Sequence, residues 1–351
     1  MKLPPDELGK INESGSKPKF LQIADRIREL IDCGKLTLGD RLPSVNEIIA
    51  HFTVSRDTAV KAYQELKDLG IIESTPNKAC FVSNVLIRES QKRILLLIDS
   101  LTVYKEKMYY GLIDNLGPGY YVDIVTHGDN FDILKVMYEK YKSMRDCAAC
   151  LVIPTAAQSR DYEYFKYVNP GNLLFLDRKL ASLPHPASWQ NFGDGFHSAL
   201  LREKAALGKY RKVVFLTKFF TNPIIEDMKE GITRFAGDVG MDFVHQHTMF
   251  TDRDIEGKIQ PERGNLYVIL DDHLLAATID ACASANMRVG PDVGIAIIND
   301  GPLYARLPVP ISVLTADFYR MGALAAQFVM TGDAPTAPVP TTLVIRESLM
   351  Q

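Results

Sequence analysis

The sequence predicts an α/β chain in two parts, a three-helix unit closed by a short hairpin and a two-lobed body of doubly wound parallel sheets. Three observations predict it. Between Phe20 and Gly70, apolar residues recur at three-to-four spacing behind helix-capping residues, whereas from Arg93 onward short apolar runs alternate with helical patterns. The chain has 351 residues, 46% of them hydrophobic, enough for two or three compact units with buried cores. The expected divisions are a flexible segment at 1–16, the helical unit at 17–84, a linker at 85–92 and the body at 93–351.

In the first part, Phe20, Ile23, Ala24, Ile27, Leu30 and Ile31 form the inward stripe of a helix reaching about Cys33, with Gly34 as its stop. Ser44 stands three residues before Glu47, the spacing of a capping box, and starts a short helix through Ile48, Ile49 and His51. After Thr53-Val54, Ser55 caps a third helix whose Ala59, Ala62, Tyr63, Leu66 and Leu69 share one face until Gly70. Two short strands around Pro76-Asn77-Lys78 follow, the hairpin called a wing. The unit reads as a winged helix-turn-helix.

Arg56 is the informative residue in it. A cation in the first turn of a helix opposes the macrodipole, so Arg56 is a poor choice for stability alone. A phosphate or a guanine edge supplies the missing favourable term, because recognition helices present their first residues to the major groove. Asp57 beside it is the alternative source of compensation. Arg41, Ser44, Asn46, Thr58, Lys61 and Lys78 are further candidate contacts.

The runs QIADRIRELI, GDRLPSVNEI and VSRDTAVKAYQELKDLGIIES resemble the GntR family of bacterial transcription factors over residues 19 to 83. The resemblance implies DNA contacts at Arg41, Ser44, Ser55, Arg56, Thr58 and Lys78. Two positions depart from the family pattern: Asn46 stands where an arginine is common, and the wing TPNKACF lacks the usual glycines.

Charge and composition narrow the function classes. Residues 17 to 93 carry 13 Lys+Arg against 10 Asp+Glu, a net +3, and residues 94 to 351 carry 25 against 30, a net −5. A mildly basic head on an acidic body suits a regulator whose body must not bind DNA. No stretch approaches 18 consecutive apolar residues and MKLPPDELGK lacks an apolar signal region, so the expected location is cytoplasmic, with no membrane partner. Cys147 and Cys150 have a metal-like or redox-like spacing but precede an apolar run without a second cysteine pair, and read as buried small residues. His245 and His247 share a strand face without an indicated third ligand, so neither a metal nor a cofactor is expected. GxSxG, GxxxxGK[ST] and HExxH are missing, as is a Schiff-base lysine in a phosphate-binding frame, and the chain is not expected to be an enzyme.

The body alternates strand and helix: RILLLIDS, a helix around Met108 to Leu116, YYVDIVT, a helix from Ile133 to Met144, CLVIP, a polar segment from Tyr162 to Asn169, and NLLFLD. A helix at 194–207 leads to a second series: KVVFLT, a helix at 223–236, a strand near Phe243, LYVIL, a helix at 274–285 and VGIAII, then DFYRMGALAAQFVMTG and TTLVIRESL. Ligands in such sheets bind beyond the carboxyl ends of the strands. Those positions hold Ser100, Tyr104, Lys105, His127, Asp129, Arg178, Phe220, Asp272, Asn299 and Asp300, with Trp189 and Asn191 in a polar connection. Amides, carboxylates, an arginine and aromatic faces suit a sugar, although Asp272 and Asp300 also suit helix N-caps.

The order of RILLLIDS, NLLFLDRKL, MKEGITRFAGDVGM, PDVGIAIIND and LVIRESL resembles the effector domain of LacI-type repressors, itself similar to periplasmic sugar-binding proteins. The resemblance covers residues 92 to 350 and implies a periplasmic-binding-protein-like fold with pocket residues Tyr104, Arg178, Asn191, Asp272 and Asp300. Met228 stands where the family has a pocket arginine. Together the two resemblances imply a homodimeric regulator that binds a double-stranded operator and responds to a sugar or sugar phosphate. Repression relieved by the ligand is the expected mode, and ligand-dependent activation uses the same parts. An enzyme fused to a DNA-binding head is the alternative of a different class.

Overall fold

The computed structural model describes residues 3–12, 17–32, 35–74, 79–83, 92–144, 146–180, 183–218, 222–247 and 259–350. It divides into two compact units, 1–91 and 92–351. Of the sequence expectations, Gly34, the wing tip with Lys78, Phe220 and linker residues 85–91 lie outside the described residues.

The first unit is built on α1 (Lys19–Asp32), α2 (Val45–Phe52) and α3 (Arg56–Asp68), followed by antiparallel β1 (Ile72–Ser74) and β2 (Cys80–Val82). Its apolar stripes meet in one core that holds Ile23, Ile27, Ile48, Ala59, Ala62 and Leu66 fully buried. Each isoleucine or leucine removed from water in this way contributes about 1.5–3 kcal/mol. Tyr63 donates its hydroxyl to the Pro43 carbonyl, which ties α3 to the turn that opens α2. The segment expected to be flexible contributes to this core instead: Leu3 and Leu8, around a 3-10 turn at Pro5–Leu8, are buried in it. Arg26 donates to the Leu8 carbonyl at 3.1 Å and Leu3 N–H to the Arg41 carbonyl at 3.1 Å, so the backbone polar groups there are partnered as well.

The second unit has two lobes. In the first, β3 (Lys92–Ile98), α4 (Val103–Asn115), β4 (Tyr120–Thr126), α5 (Phe131–Lys142), β5 (Cys147–Val152), α6 (Ser159–Phe165), β6 (Leu173–Asp177) and β7 (Ala187–Trp189) give a parallel sheet ordered β4-β3-β5-β6-β7. After α7 (Phe192–Arg202) and α8 (Lys204–Leu207) come β8 (Lys212–Thr217), α9 (Pro223–Val239), β9 (Asp242–His247), β10 (Asn265–Ile269), α10 (Asp272–Ser284), β11 (Gly294–Ile298), β12 (Ser312–Ala316), α11 (Phe318–Thr331) and β13 (Thr341–Val344). Among the described residues these strands form a second sheet, ordered β13-β12-β11-β10-β8-β9, parallel except for β13. The central strands are buried on both faces, as the unbroken apolar runs require.

The sequence reading missed β7, β12 and α6. β7 is three residues with a serine at its centre, β12 follows Pro308 and Pro310, and the polar stretch around Tyr162 is helical through packing that puts Phe165 in the core. Connections exchange helices between lobes: α7 leaves β7 to pack on α9 and β13, and α11 leaves β12 to pack on α4 and on β5, β6 and β7. At the contact of α4 with α11 the backbones touch. A Cβ added to Gly322 would lie 1.9 Å from the Met108 carbonyl oxygen, and one on Gly111 would lie 2.0 Å from that of Tyr319.

Gly322→Ala is therefore expected to destabilise the body by about 1–3 kcal/mol through overpacking. Gly237→Ala, on α9 where an added Cβ meets nothing within 4 Å, should instead add about 0.5–1 kcal/mol of helix stability. Urea unfolding of both variants measures the contrast.

Candidate DNA-reading face and effector cleft

The start of α2 carries the full capping box: Ser44 Oγ accepts from Glu47 N–H at 3.3 Å while the Glu47 carboxylate accepts from Ser44 N–H at 2.7 Å. Ser55 caps α3 by accepting from Thr58 N–H at 3.2 Å, and the Ser55 and Thr58 hydroxyls lie 2.9 Å apart. These hydroxyls thus have local structural work. Asp57 is paired with Lys61 one turn on, at 2.9 Å, and not with Arg56. Arg56 is exposed at the first position of α3 and makes no ion pair with a described residue. Among the described residues no carboxylate pairs with Arg56, and its position in the first turn opposes the macrodipole. Arg41 is exposed and its backbone bridges Phe81 of β2, which places it between the wing and the turn into α2; Asn46 is exposed in the first turn of α2.

In the body, the strand ends of the first lobe converge on Asp99. Its carboxylate receives Lys105 Nζ from α4 and Arg178 Nη2 at 3.1 Å. Arg178 also donates Nη1 to the Pro154 carbonyl at 2.7 Å, and its Nε lies 3.7 Å from Asp177. Lys105 is 1% exposed and the Arg178 side chain 11%, so neither presents a free cation. Burial works against ionisation of Asp99, but the charges of Lys105 and Arg178 outweigh it and hold the carboxyl below its ordinary pKa. His127 is fully buried with Nε2 at 3.0 Å from the Ile153 carbonyl oxygen, and burial lowers its pKa. Asp129 accepts from Ala156 N–H at 2.7 Å. Asp129, Asp177 and Asn299 have φ of 58°, 62° and 68°, a left-handed conformation that Asp and Asn tolerate better than other side chains, and each lies at or just past a strand end.

A cavity of about 940 Å³ opens between the segment after β3 and those after β10 and β11. Tyr104, Asp272, Asn299 and Asp300 line it, as do Thr102, Glu106, Leu303 and Tyr304, which the sequence reading did not single out. Leu303 and Tyr304 lie five and six residues past the end of β11, in GPLYARLP, so the strand-end rule applied over a longer stretch would have found them. Tyr304 donates to Asp272, and Asp271, not Asp272, caps α10 by accepting from His273 N–H at 2.9 Å. Asp300 is no cap either: it accepts from Lys107 of α4 at 3.1 Å and from Arg346 at 3.0 Å. The described lining includes Glu106, Asp271, Asp272 and Asp300 but no lysine, arginine or histidine.

The other expected cleft residues lie elsewhere. Ser100, Lys105, His127, Asp129 and Arg178 belong to the strand-end network and do not line the cavity. Asn191 caps α7, accepting from Asp194 N–H at 3.1 Å, and Trp189 lies under the Lys179 ammonium, 4.7 Å from the ring centre. Met228 is in the apolar core of the second lobe. His245 stacks on Phe215 and lies 3.0 Å from the Thr217 hydroxyl; burial lowers its pKa to about 4.

A winged helix-turn-helix joined to two doubly wound lobes with a cleft between them defines a class, that of transcriptional regulators with a sugar-binding-like domain. Residues 19–82 match the model of bacterial regulatory proteins of the gntR family, and residues 203–349 match the periplasmic binding protein-like domain. The HTH-type transcriptional regulator YhcF of Bacillus subtilis is 32% identical over 107 residues, 28% of this chain and 88% of the relative. The HTH-type transcriptional repressor YtrA of the same organism is 31% identical over 104 residues, 30% of this chain and 75% of the relative. The chain belongs to the gntR family. The mannosyl-D-glycerate transport/metabolism system repressor MngR of Escherichia coli is 37% identical over 94 residues, 27% of this chain, and the match spans 36% of that repressor. In fold, the body is similar to a LacI family transcriptional regulator from Bifidobacterium animalis subsp. lactis, with a TM-score of 0.61 at 18% identity, covering 75% of this chain and 99% of that one. It is similar also to a periplasmic binding ribose operon repressor protein from Lactobacillus acidophilus, with a TM-score of 0.57 at 15% identity, covering 75% of this chain and all of that one. The protein is thus a transcriptional regulator that joins a gntR-type helix-turn-helix to a periplasmic-binding-protein-like domain.

Because Asp99 is a depressed carboxylate, its contribution is present above the unfolded-state carboxyl pKa of about 3.9 and is lost as pH falls through the lower folded value. Asp99→Asn leaves the buried Lys105 and Arg178 without their counter-charge and is expected to cost about 3–5 kcal/mol at pH 7. The difference from wild type should shrink as the pH is lowered below that unfolded value. Urea titrations of both proteins across the acid range measure it.

Proposed function

We propose that the protein is a homodimeric repressor that holds a two-fold operator through Arg56 and its neighbours and releases it when a neutral carbohydrate occupies the cleft of the body. The observation that carries this reading is the 940 Å³ cavity at the strand ends, in a chain whose other unit is a gntR-type reader. Such a volume suits a small ligand. Arg41, Ser44, Asn46, Ser55, Arg56, Thr58, Lys61 and Lys78 are the proposed DNA contacts, with Arg56 the principal one. Two half-sites in successive major grooves would each receive one α3.

The lining favours a neutral polyol over a sugar phosphate. Lys105 and Arg178 are committed to Asp99, Lys107 and Arg346 to Asp300, and Glu106, Asp271 and Asp272 add three further carboxylates without a basic residue among the described lining. A phosphate about 4 Å from a carboxylate meets roughly 4 kcal/mol of repulsion per unit charge pair at an effective dielectric of about 20. Hydroxyls instead donate to Asp272, Asn299 and Glu106, while Tyr104, Leu303 and Tyr304 cover the C–H faces. The name of the Lactobacillus acidophilus protein, a ribose operon repressor, accords with this ligand class. The ligand must bind one dimer geometry more tightly than the other, since equal affinity shifts nothing. The protein acts by binding and not by turnover.

Arg56→Ala is expected to weaken binding to a fragment selected from random-sequence DNA by about ten- to hundredfold, corresponding to about 1–3 kcal/mol. Its thermal stabilisation by sugar should stay unchanged; undiminished DNA affinity in this variant would refute the assigned role. In a melting screen, a neutral sugar at about 100 times its Kd adds roughly 2.7 kcal/mol, whereas its phosphate ester should add none. A sugar that binds by calorimetry yet leaves operator affinity unchanged refutes the coupling.

A further inference from the structure

Cys147 and Cys150 are three residues apart in β5, and in a regular strand of period two they would point to opposite faces of the sheet. The pairing of β5 with β3 slips at this point: Arg93 faces Cys147 but Ile94 faces Ala149, so Ala148 is the extra residue of a bulge. The slip brings the two sulfur atoms within 3.8 Å. Cys147 is half-buried, beside the solvent-exposed Asp146, and Cys150 is 1% exposed. One thiol is thus within reach of a small solute and the second stands sheltered behind it.

We propose that Cys147 and Cys150 form a redox-active dithiol that closes to an intrachain disulfide on reaction with a peroxide. The Cys147 thiolate attacks one oxygen of hydrogen peroxide; the O–O bond breaks, hydroxide leaves and is protonated to water, and Cys147 becomes a sulfenic acid. The Cys150 sulfur then attacks that of Cys147 and loses its proton, the S–S bond forms, and the departing hydroxide takes up a proton as a second water. Two thiols are oxidised by two electrons in all, and one peroxide is reduced to two waters. The sulfurs must approach by about 1.8 Å to reach the bond length of about 2.05 Å, and the bulge is the part of the sheet where the backbone is least fixed by ladder hydrogen bonds. The Cys150 S–H beside it holds the Cys147 thiol below its ordinary pKa, which favours the attacking thiolate. Cys282, fully buried with no thiol neighbour among the described residues and its own pKa raised by burial to about 11, is an internal control.

The test treats the full-length reduced protein with hydrogen peroxide, blocks residual thiols with an alkylating agent under denaturing conditions and weighs the tryptic peptide Asp146–Arg160. The expected result is loss of alkylation at both cysteines together with loss of two hydrogens, reversed by dithiothreitol, while Cys282 remains alkylated. In Cys150→Ser, Cys147 should stop at sulfenic acid, trapped by dimedone, or proceed to sulfinic acid. Full alkylation of both residues in the treated wild type overturns the proposal. So does oxidation of Cys147 to sulfinic acid with Cys150 still alkylated.

Discussion

Asp99 binds two cations at once, Lys105 from α4 and Arg178 from the end of β6, and the shape and charge of the cleft depend on that contact. A lysine at 1% exposure is tolerable only with a close counter-charge, and this one lies within the first turn of the helix that forms one wall of the cavity. Fixing Lys105 fixes the start of α4, and with it Thr102, Tyr104 and Glu106 at the mouth. The same contact removes from the cavity the two cations that would otherwise have recommended an anionic ligand. What remains is a lining of carboxylates, one amide, the hydroxyls of Thr102, Tyr104 and Tyr304, and apolar faces.

The lobes depend on each other because helices are exchanged between them. α11 arises from a strand of the second sheet and covers strands of the first, and α7 does the reverse. Two such exchanges require close backbone approach where the helices land, which is why glycines occupy both sides of the contact between α4 and α11. Asp300, one of the lining residues, adds a polar link between lobes by accepting from Lys107 and Arg346.

In the head, one local rule is broken beside others that hold in full. Capping at Ser44 and Ser55 obeys helix-start chemistry in full, and each cap is worth about 1 kcal/mol. Arg56, in the very next position, opposes the macrodipole, and its neighbour Asp57 turns to Lys61 instead. Departures of this kind, set among consistent local choices, concentrate at sites that act on a partner.

The sequence by itself determined what depends on neighbours a few residues apart. The caps of α2 and α3, the inward stripe from Ile23 to Leu66, the buried central strands and the order of lobes were all legible, because helix periodicity and apolar runs are local signals. The tertiary structure decided what depends on distant partners. Arg178 looks like a ligand cation until it meets Asp99, 79 residues away in sequence; Asp300 looks like a cap until Lys107 arrives from 193 residues away. The short strands β7 and β12 exist through pairing with neighbours, and Leu3 and Leu8 are ordered by a core formed by later helices. The bulge that turns two cysteines to one side is a property of the register between β3 and β5, which neither strand encodes alone. Spacing along the chain sets which side chains share a face, but the charge and access of a site are set by what folds against it.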